Sequence, residues 1–576
     1  MLKKILSLFI LMALISPVLP TPAWGQVFVY GSIIYNKGRS RALYNCSLSK
    51  IYESKGDIKA AIRYMNRARL KDDQSPWLHY ELGRLLTRGG DFLEAVKHLR
   101  KSVELNPAYS EPALLLGEIY LHINQSGKAE EVALSFMKKH PGNERAYFLL
   151  GKIFINNKEY DKAAEIYQAC IKKLPRSYKS YLLLGNLRMK QGKTKVAIEN
   201  LKKAVEIRPE FNTALNKLAF LYWDTKQYDK AIDIYKTLSE LNPRNTHLLG
   251  QIGVSYLYLK QYKKALKHYR MVEERNPANI VKIKLKLGYI LLKLNRTEES
   301  VRKFQELLKL DPDNIEARFF LVVNYEKKGE HKKSIKTLNE VIKIRPDELK
   351  AYLVKFEILE ENGDTESGIK ALEQGVKIEP DNFDMVISLA MAYRKVSRYK
   401  EAIELLEKSL KKQPDNYRLH FAVGTVYEKM NLFAETVKHM EKTIELNPEH
   451  ADAYNYLGYL YAERGQDLDK SIHQIKKALA LDPNNGAYID SLGWAYYKKG
   501  MHDHAMVELE RAVNLTGNNS VIMDHLGDVY FVKGLYGKAK KQWERSLDHI
   551  GKQENLKNSI LKKLNDLSLK LEKQKN

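Results

Sequence analysis

One spacing constrains this chain more than any other feature. A small residue, replaced at two sites by Val322 and Phe356, marks fifteen positions from Ser49 to Gly527. The gaps are 34 residues in twelve cases and 35 in two, so the register never lapses. Other landmarks hold the same phase. An aromatic follows three residues later (Tyr52, Tyr120, Phe154, Tyr222, Tyr256 and others), which accounts for 36 tyrosines against 16 phenylalanines. About twelve residues later comes alanine or another small residue, from Ala61 to Ala539, and about 24 later a proline, from Pro107 to Pro483. Glycine is frequent between the small site and the alanine (Gly56, Gly90, Gly192, Gly329, Gly363, Gly465, Gly500, Gly534).

Each landmark has a mechanical cause. Two segments with 3.6-residue apolar periodicity flank a turn in every unit, which predicts a pair of helices. Small residues on both helices let the backbones approach, and a larger side chain there would overpack the contact. Glycine ends the first helix in the left-handed conformation. Proline stops the second, because it lacks an N–H and disfavours helix in the residue before it. A lone unit buries too little apolar surface to offset the entropy of ordering it, so each unit must lean on its neighbours. The expected fold is therefore all-α: a solenoid of about fifteen helix–turn–helix units over residues 42–551, followed by a capping helix over 552–576. The cap carries an apolar stripe of Leu556, Ile560, Leu564, Leu567 and Leu571, with Lys557, Lys562, Lys563 and Lys570 on the opposite face.

The first 25 residues read as an address. Lys3 and Lys4 precede an apolar run from Ile5 to Ile15, and Ala23-Trp24-Gly25 stands before Gln26. That is the pattern of a secretory signal peptide, leaving a short segment over 26–41 before the repeats. The run is short for a membrane span; an uncleaved anchor is the alternative. The mature chain is expected in the periplasm or cell envelope. The net charge of +26 favours anionic partners, and export makes nucleic acid an unexpected one.

Catalytic motifs are wanting. The repeats and cap fill the chain from about residue 42, so no catalytic domain, cofactor or metal site is expected. Gly534-Leu535-Tyr536-Gly537-Lys538 lacks phosphate-loop spacing, and His502-Asp503-His504 falls on a turn where i and i+2 do not share a face. The remaining histidines are scattered and read as packed or solvated imidazoles. Cys46 and Cys170 lie three units apart, too far to bridge, and read as free thiols. Lysine pairs late in the second helices (Lys138-Lys139, Lys172-Lys173, Lys202-Lys203, Lys411-Lys412, Lys476-Lys477) read as a solvated face or as an attraction for anionic surfaces.

The unit resembles the tetratricopeptide repeat. The resemblance implies a right-handed superhelix whose first helices line a concave face with their positions two, five, nine and twelve. In the early units these are Trp77, Tyr80, Arg84, Arg145, Phe148 and Lys152, a basic and aromatic lining. In the late units they are Asn455, Tyr459, Asp490, Trp494, Tyr497, Asp524, Asp528 and Phe531, an acidic and aromatic one. Aromatics beside fixed charges are the composition of binding hot spots, although Trp494 and Phe531 could equally pack between adjacent helices. The stretch Ala453–Ser546 is also similar to exported proteobacterial repeat proteins, among them lipoprotein adaptors for a carboxyl-terminal processing protease and its cell-wall hydrolase substrates. This chain has no cysteine close after the apolar run for lipid attachment. The resulting expectation is a non-enzymatic scaffold gripping envelope proteins, with a protease or cell-wall enzyme as partner. The alternative is an assembly or export factor that binds polysaccharide, peptidoglycan or a membrane surface.

Overall fold

The computed structural model describes residues 37–275, 277–551 and 553–575. The signal-peptide segment lies outside the described residues. Every element among them is helical: 31 α-helices and one short 3₁₀ turn. None is long and apolar enough to cross a membrane.

Two compact units divide at Ala278/Asn279. The first holds seven antiparallel pairs, from Lys37–Ser54 with Ile58–Arg69 to Thr246–Tyr258 with Tyr262–Arg275. Its opening helix starts at Lys37, inside the segment expected to precede the repeats. The second holds eight, from Ile280–Lys293 with Thr297–Leu310 to Ser520–Val532 with Tyr536–Asp548, and then the capping helix Glu554–Lys575. The two 35-residue gaps have different outcomes. One extra residue falls by the 3₁₀ turn Pro277–Asn279 at the division. The other lengthens the turn Gly465–Asp467, where both end residues take positive φ.

The small sites do more than let backbones approach. A Cβ on Gly151 would lie 2.3 Å from the Tyr167 ring, on Gly288 2.6 Å from Phe304, and on Gly493 2.6 Å from Leu509. Each glycine is the floor under a large side chain of the second helix, sixteen residues on. The exception near 356 puts the glycine on the other helix. There Phe356 occupies the first helix, and Gly368 on the second has Phe356 atoms 2.9 Å from where its own Cβ would be. Where serine replaces alanine its hydroxyl crosses the pair: Ser300 donates to the Gly288 carbonyl at 2.8 Å and Ser471 to that of Gly458 at 2.6 Å. The aromatic three residues after the small site is buried at Tyr393 and Tyr530, and its hydroxyl reaches a glutamate on the preceding second helix, Tyr393 to Glu373 at 2.7 Å and Tyr530 to Glu510 at 2.6 Å. Tyr427 makes the same bond to Glu407 at 2.8 Å, a contact that phenylalanine could not make.

Asparagine two residues past the proline starts many first helices. The amides of Ala317 and Met385 donate to the side chains of Asn314 and Asn382. Between the helices of every pair a residue takes positive φ, and at Gly465–Asp467 two do. It is glycine in eight turns, but Asn, Lys or Ser at Asn124, Lys158, Lys226, Lys260, Asn295, Ser397 and Asn431. A side chain is strained there by about 1 kcal/mol. Lys158→Gly, Lys226→Gly and Lys260→Gly together are therefore expected to raise the thermal midpoint, each by about 0.5–1 kcal/mol of stability. Gly329→Ala should lower it by a similar amount, and a melting curve that moves in neither case defeats the assignment.

Both cysteines are free and buried. On the cap, Ile560 and Leu567 are buried, and Lys557, Lys562 and Lys570 face solvent as the stripe predicts. Lys563 does not: it turns inward, with consequences for the site below.

Candidate functional site

Positions two, five, nine and twelve fall on one face of a helix because 3.6 residues make a turn. The structure shows what that face is in each group of repeats. In the early group Trp77, Arg145 and Lys152 are exposed, and Tyr80 and Phe148 are half-buried. Tyr80 meets the edge of Tyr109 at 5.2 Å. Arg84 is already engaged, donating to Glu53 at 2.7 Å and to Glu81 at 2.9 Å. Its guanidinium holds the Glu53 carboxyl down to about 2. Arg145 reaches Glu111 at 3.5 Å, so the two basic groups are linked to acids of their own chain.

The late group is a closed cluster rather than an open lining. Trp494 stacks on His525 at 4.1 Å and on Tyr497 at 5.0 Å, and its indole N–H donates to Glu463. His525 Nδ1 lies 2.9 Å from Asp490 Oδ1, with both side chains buried. Lys563 of the capping helix reaches Asp524 at 2.8 Å and Asp528 at 2.7 Å. Phe531 packs 5.7 Å from Trp543 and lies under Lys570 at 4.7 Å. Asn455 and Tyr459 are half-buried, and Asn455 Oδ1 has no hydrogen-bond partner among the described residues. The cap closes this end of the stack by filling its acidic positions with a lysine.

An open site lies among residues for which the sequence carried no binding expectation, although Phe356, one of the two departures from the small site, is in its lining. A pocket of about 740 Å³ separates the helices Leu349–Glu361 and Phe383–Lys395. Its walls are Leu353, Glu357 and Glu360 from one and Ile387, Met391 and Arg394 from the other. These are positions five, nine and twelve of two consecutive first helices. The floor is apolar and the rim charged, the make-up of a surface that takes an amphipathic chain. The signal in the sequence was apolar residues on that face: Leu353, Ile387 and Met391 are half-buried and pack one side against the core. The same register positions of the N-terminal unit include an exposed aromatic. Phe220 is 55% exposed, and Asn186 Oδ1 and Trp223 Nε1 are buried with no hydrogen-bond partner among the described residues.

The fold and these faces define a helical-repeat binding protein. Tetratricopeptide repeat models match residues 46–110, 291–354, 359–423, 439–472 and 488–519. A model of the tetratricopeptide repeat protein 21 C-terminal ARM domain matches 90–252. The chain belongs to the tetratricopeptide repeat family. No curated protein matches it by sequence. Among solved structures it is similar to yeast Tom70 (16% identity, 77% of this chain and 97% of that one, TM-score 0.39). It is also similar to the APC/C hetero-tetramer Cut9-Hcn1 (14% identity, 85% and 98%, TM-score 0.35). A third is YrrB, described as a TPR protein with an unusual peptide-binding site (23% identity, 33% and 98%, TM-score 0.28).

Proposed function

We propose that the protein is a non-catalytic scaffold of the bacterial cell envelope that holds segments of partner proteins against its first-helix faces. The observation that carries this is the pocket between Leu349–Glu361 and Phe383–Lys395, built from the same register positions of consecutive repeats and left unfilled by the chain itself. An extended or helical segment laid there would bury apolar side chains on Leu353, Ile387 and Met391, and would set charges against Glu357, Glu360 and Arg394. The exported setting rests on the N-terminal pattern of Lys3, Lys4 and the apolar run, and sequencing the N-terminus of the mature protein from the periplasm tests it. The protease-linked or cell-wall partner rests on the late repeats' resemblance to exported adaptors.

A second reading has its own support. All ten residues of the lysine pairs late in the second helices are exposed, which offers an anionic polymer a row of cations. One experiment separates the two. Displayed peptides selected on the purified chain should lose binding to Ile387→Lys/Met391→Lys and keep it at high salt. Capture of acidic polysaccharide should ignore that variant and fade steeply with salt. Peptide binding that survives the double substitution would remove the pocket from the function.

A further inference from the structure

Repeats two and twelve share a constellation found in no other unit among the described residues. His79 and His98 face each other across one helix pair, Nδ1 to Nδ1 at 3.1 Å; His420 and His439 do the same at 3.0 Å. The ring planes meet at 35° and 36°. The first histidine is in each case the fourth residue of its helix, and a glutamate, Glu94 or Glu435, stands four residues before the second. The two sites are thus one arrangement of His, Glu and His used twice.

The proton positions follow from the partners. His79 Nε2 lies 2.9 Å from the Asp73 carbonyl, and His420 Nε2 lies 2.8 Å from that of Pro414. A carbonyl only accepts, so each Nε2 carries the hydrogen and each Nδ1 presents a lone pair to the opposite ring. An imidazole anchored by an N–H to a carbonyl is the arrangement of a metal-binding histidine; here its Nδ1 accepts from the Nδ1–H of the opposite ring, and an ion would replace that proton, which the second imidazole can carry on Nε2 instead.

We propose that each pair is a binding site for a divalent first-row ion that favours nitrogen ligands in a tetragonal shell, Cu²⁺ or Ni²⁺. Two nitrogens each about 2.1 Å from one ion stand about 3.0 Å apart when cis at a right angle, and about 3.4 Å apart in a tetrahedron. The observed separations fit the first. Among the described residues no three ligating side chains already converge, so a carboxylate must join. Residues i and i+4 share a helix face, which puts Glu94 and Glu435 within a rotamer change of the ion. Each is held only by a loose ion pair, to Lys97 at 3.6 Å and Lys438 at 3.8 Å. Arg69 and Lys97 near the first pair and Lys438 near the second oppose a cation; Glu94 near the first, and Glu435 and Glu407 near the second, offset them. The second pair lines a cavity of about 790 Å³ with Asp415, Glu441 and Glu445 in its wall, a route for the ion and its waters.

The test is a calorimetric titration of the untagged full chain with Cu²⁺ and with Ni²⁺ at pH 7.5. Two ions per chain are expected, one after His98→Gln, one after His439→Gln and none after both, with Glu94→Gln and Glu435→Gln weakening binding without removing it. Circular dichroism checks that the variants stay helical. If a variant does not fold, the copper-loaded parent decides: its electron paramagnetic resonance spectrum should be axial with coupling to two imidazole nitrogens. A spectrum without imidazole nitrogens, or two ions still bound to the double variant, overturns the proposal.

Discussion

Replacing Gly527 with alanine is expected to destabilise the last repeat by about 2–3 kcal/mol, far more than one methyl group would suggest. The new Cβ would sit 2.4 Å from the Trp543 indole nitrogen, closer than any real contact. Trp543 cannot retreat cheaply. It is 2% exposed, and its N–H donates to Asp528 at 3.2 Å. Moving the ring therefore opens the core and breaks a bond to a carboxylate that Lys563 also needs. The chain supplies the rescue. Ala390 stands opposite Leu406 in an equivalent pair, with both fully buried. Gly527→Ala/Trp543→Leu should accordingly lose less than the sum of its single substitutions, with a coupling of about 1–2 kcal/mol. Gly537→Ala is the control: nothing lies within 4 Å of its Cβ, and a helix gains from alanine. Urea unfolding followed by indole fluorescence measures all four. A Gly527→Ala chain as stable as its parent would show that the glycine register is not what sets the helix pairs.

That register is why so much of the fold was legible. A period of 34 residues with small, aromatic and proline landmarks fixes helix, turn and helix before any contact is known, and the exchange of Phe356 with Gly368 is readable as one event. The turns at Lys158, Lys226 and Lys260 were not readable as left-handed, because lysine carries no turn signal and only its place in the period puts it there. The site was half legible. The period identifies the face to which Asp490, Asp524 and Asp528 belong. It says nothing of Lys563, which reaches back 39 residues to Asp524, off the repeat, from a helix read as polar on that side. Nor does it show that His79 and His98, nineteen residues apart, meet across a pair, since that depends on which faces of two helices touch.

The capping lysine carries the other large effect. Lys563→Met leaves Asp524 and the half-buried Asp528 without their cation, and losing one partner of a buried ion pair costs about 3–5 kcal/mol. The loss should be local, because repeats open in sequence from an end. Amide hydrogens of Ser520–Val532 and Glu554–Lys575 should exchange at least a hundredfold faster while the early repeats are unchanged. Lys563→Met/Asp524→Asn/Asp528→Asn, which removes the charges together, should recover most of the protection. The same cluster has a pH signature with a definite sign. Burial acts to lower His525, but Asp490, then Asp524 and Asp528, outweigh it and raise the imidazole above its ordinary 6.5. Burial raises Asp528, Asp524 adding to it against Lys563. Both groups hold protons more tightly folded than unfolded. Their stabilisation is fully present below the unfolded values and is lost as pH rises through the folded ones. The cap should therefore loosen on the alkaline side, above about pH 6.5, once intrinsic exchange rates are corrected for. His525→Gln/Asp490→Asn should flatten that slope. Cap protection that stays constant from pH 6 to pH 9 in the parent would mean that the imidazole and its carboxylates do not hold this end of the stack closed.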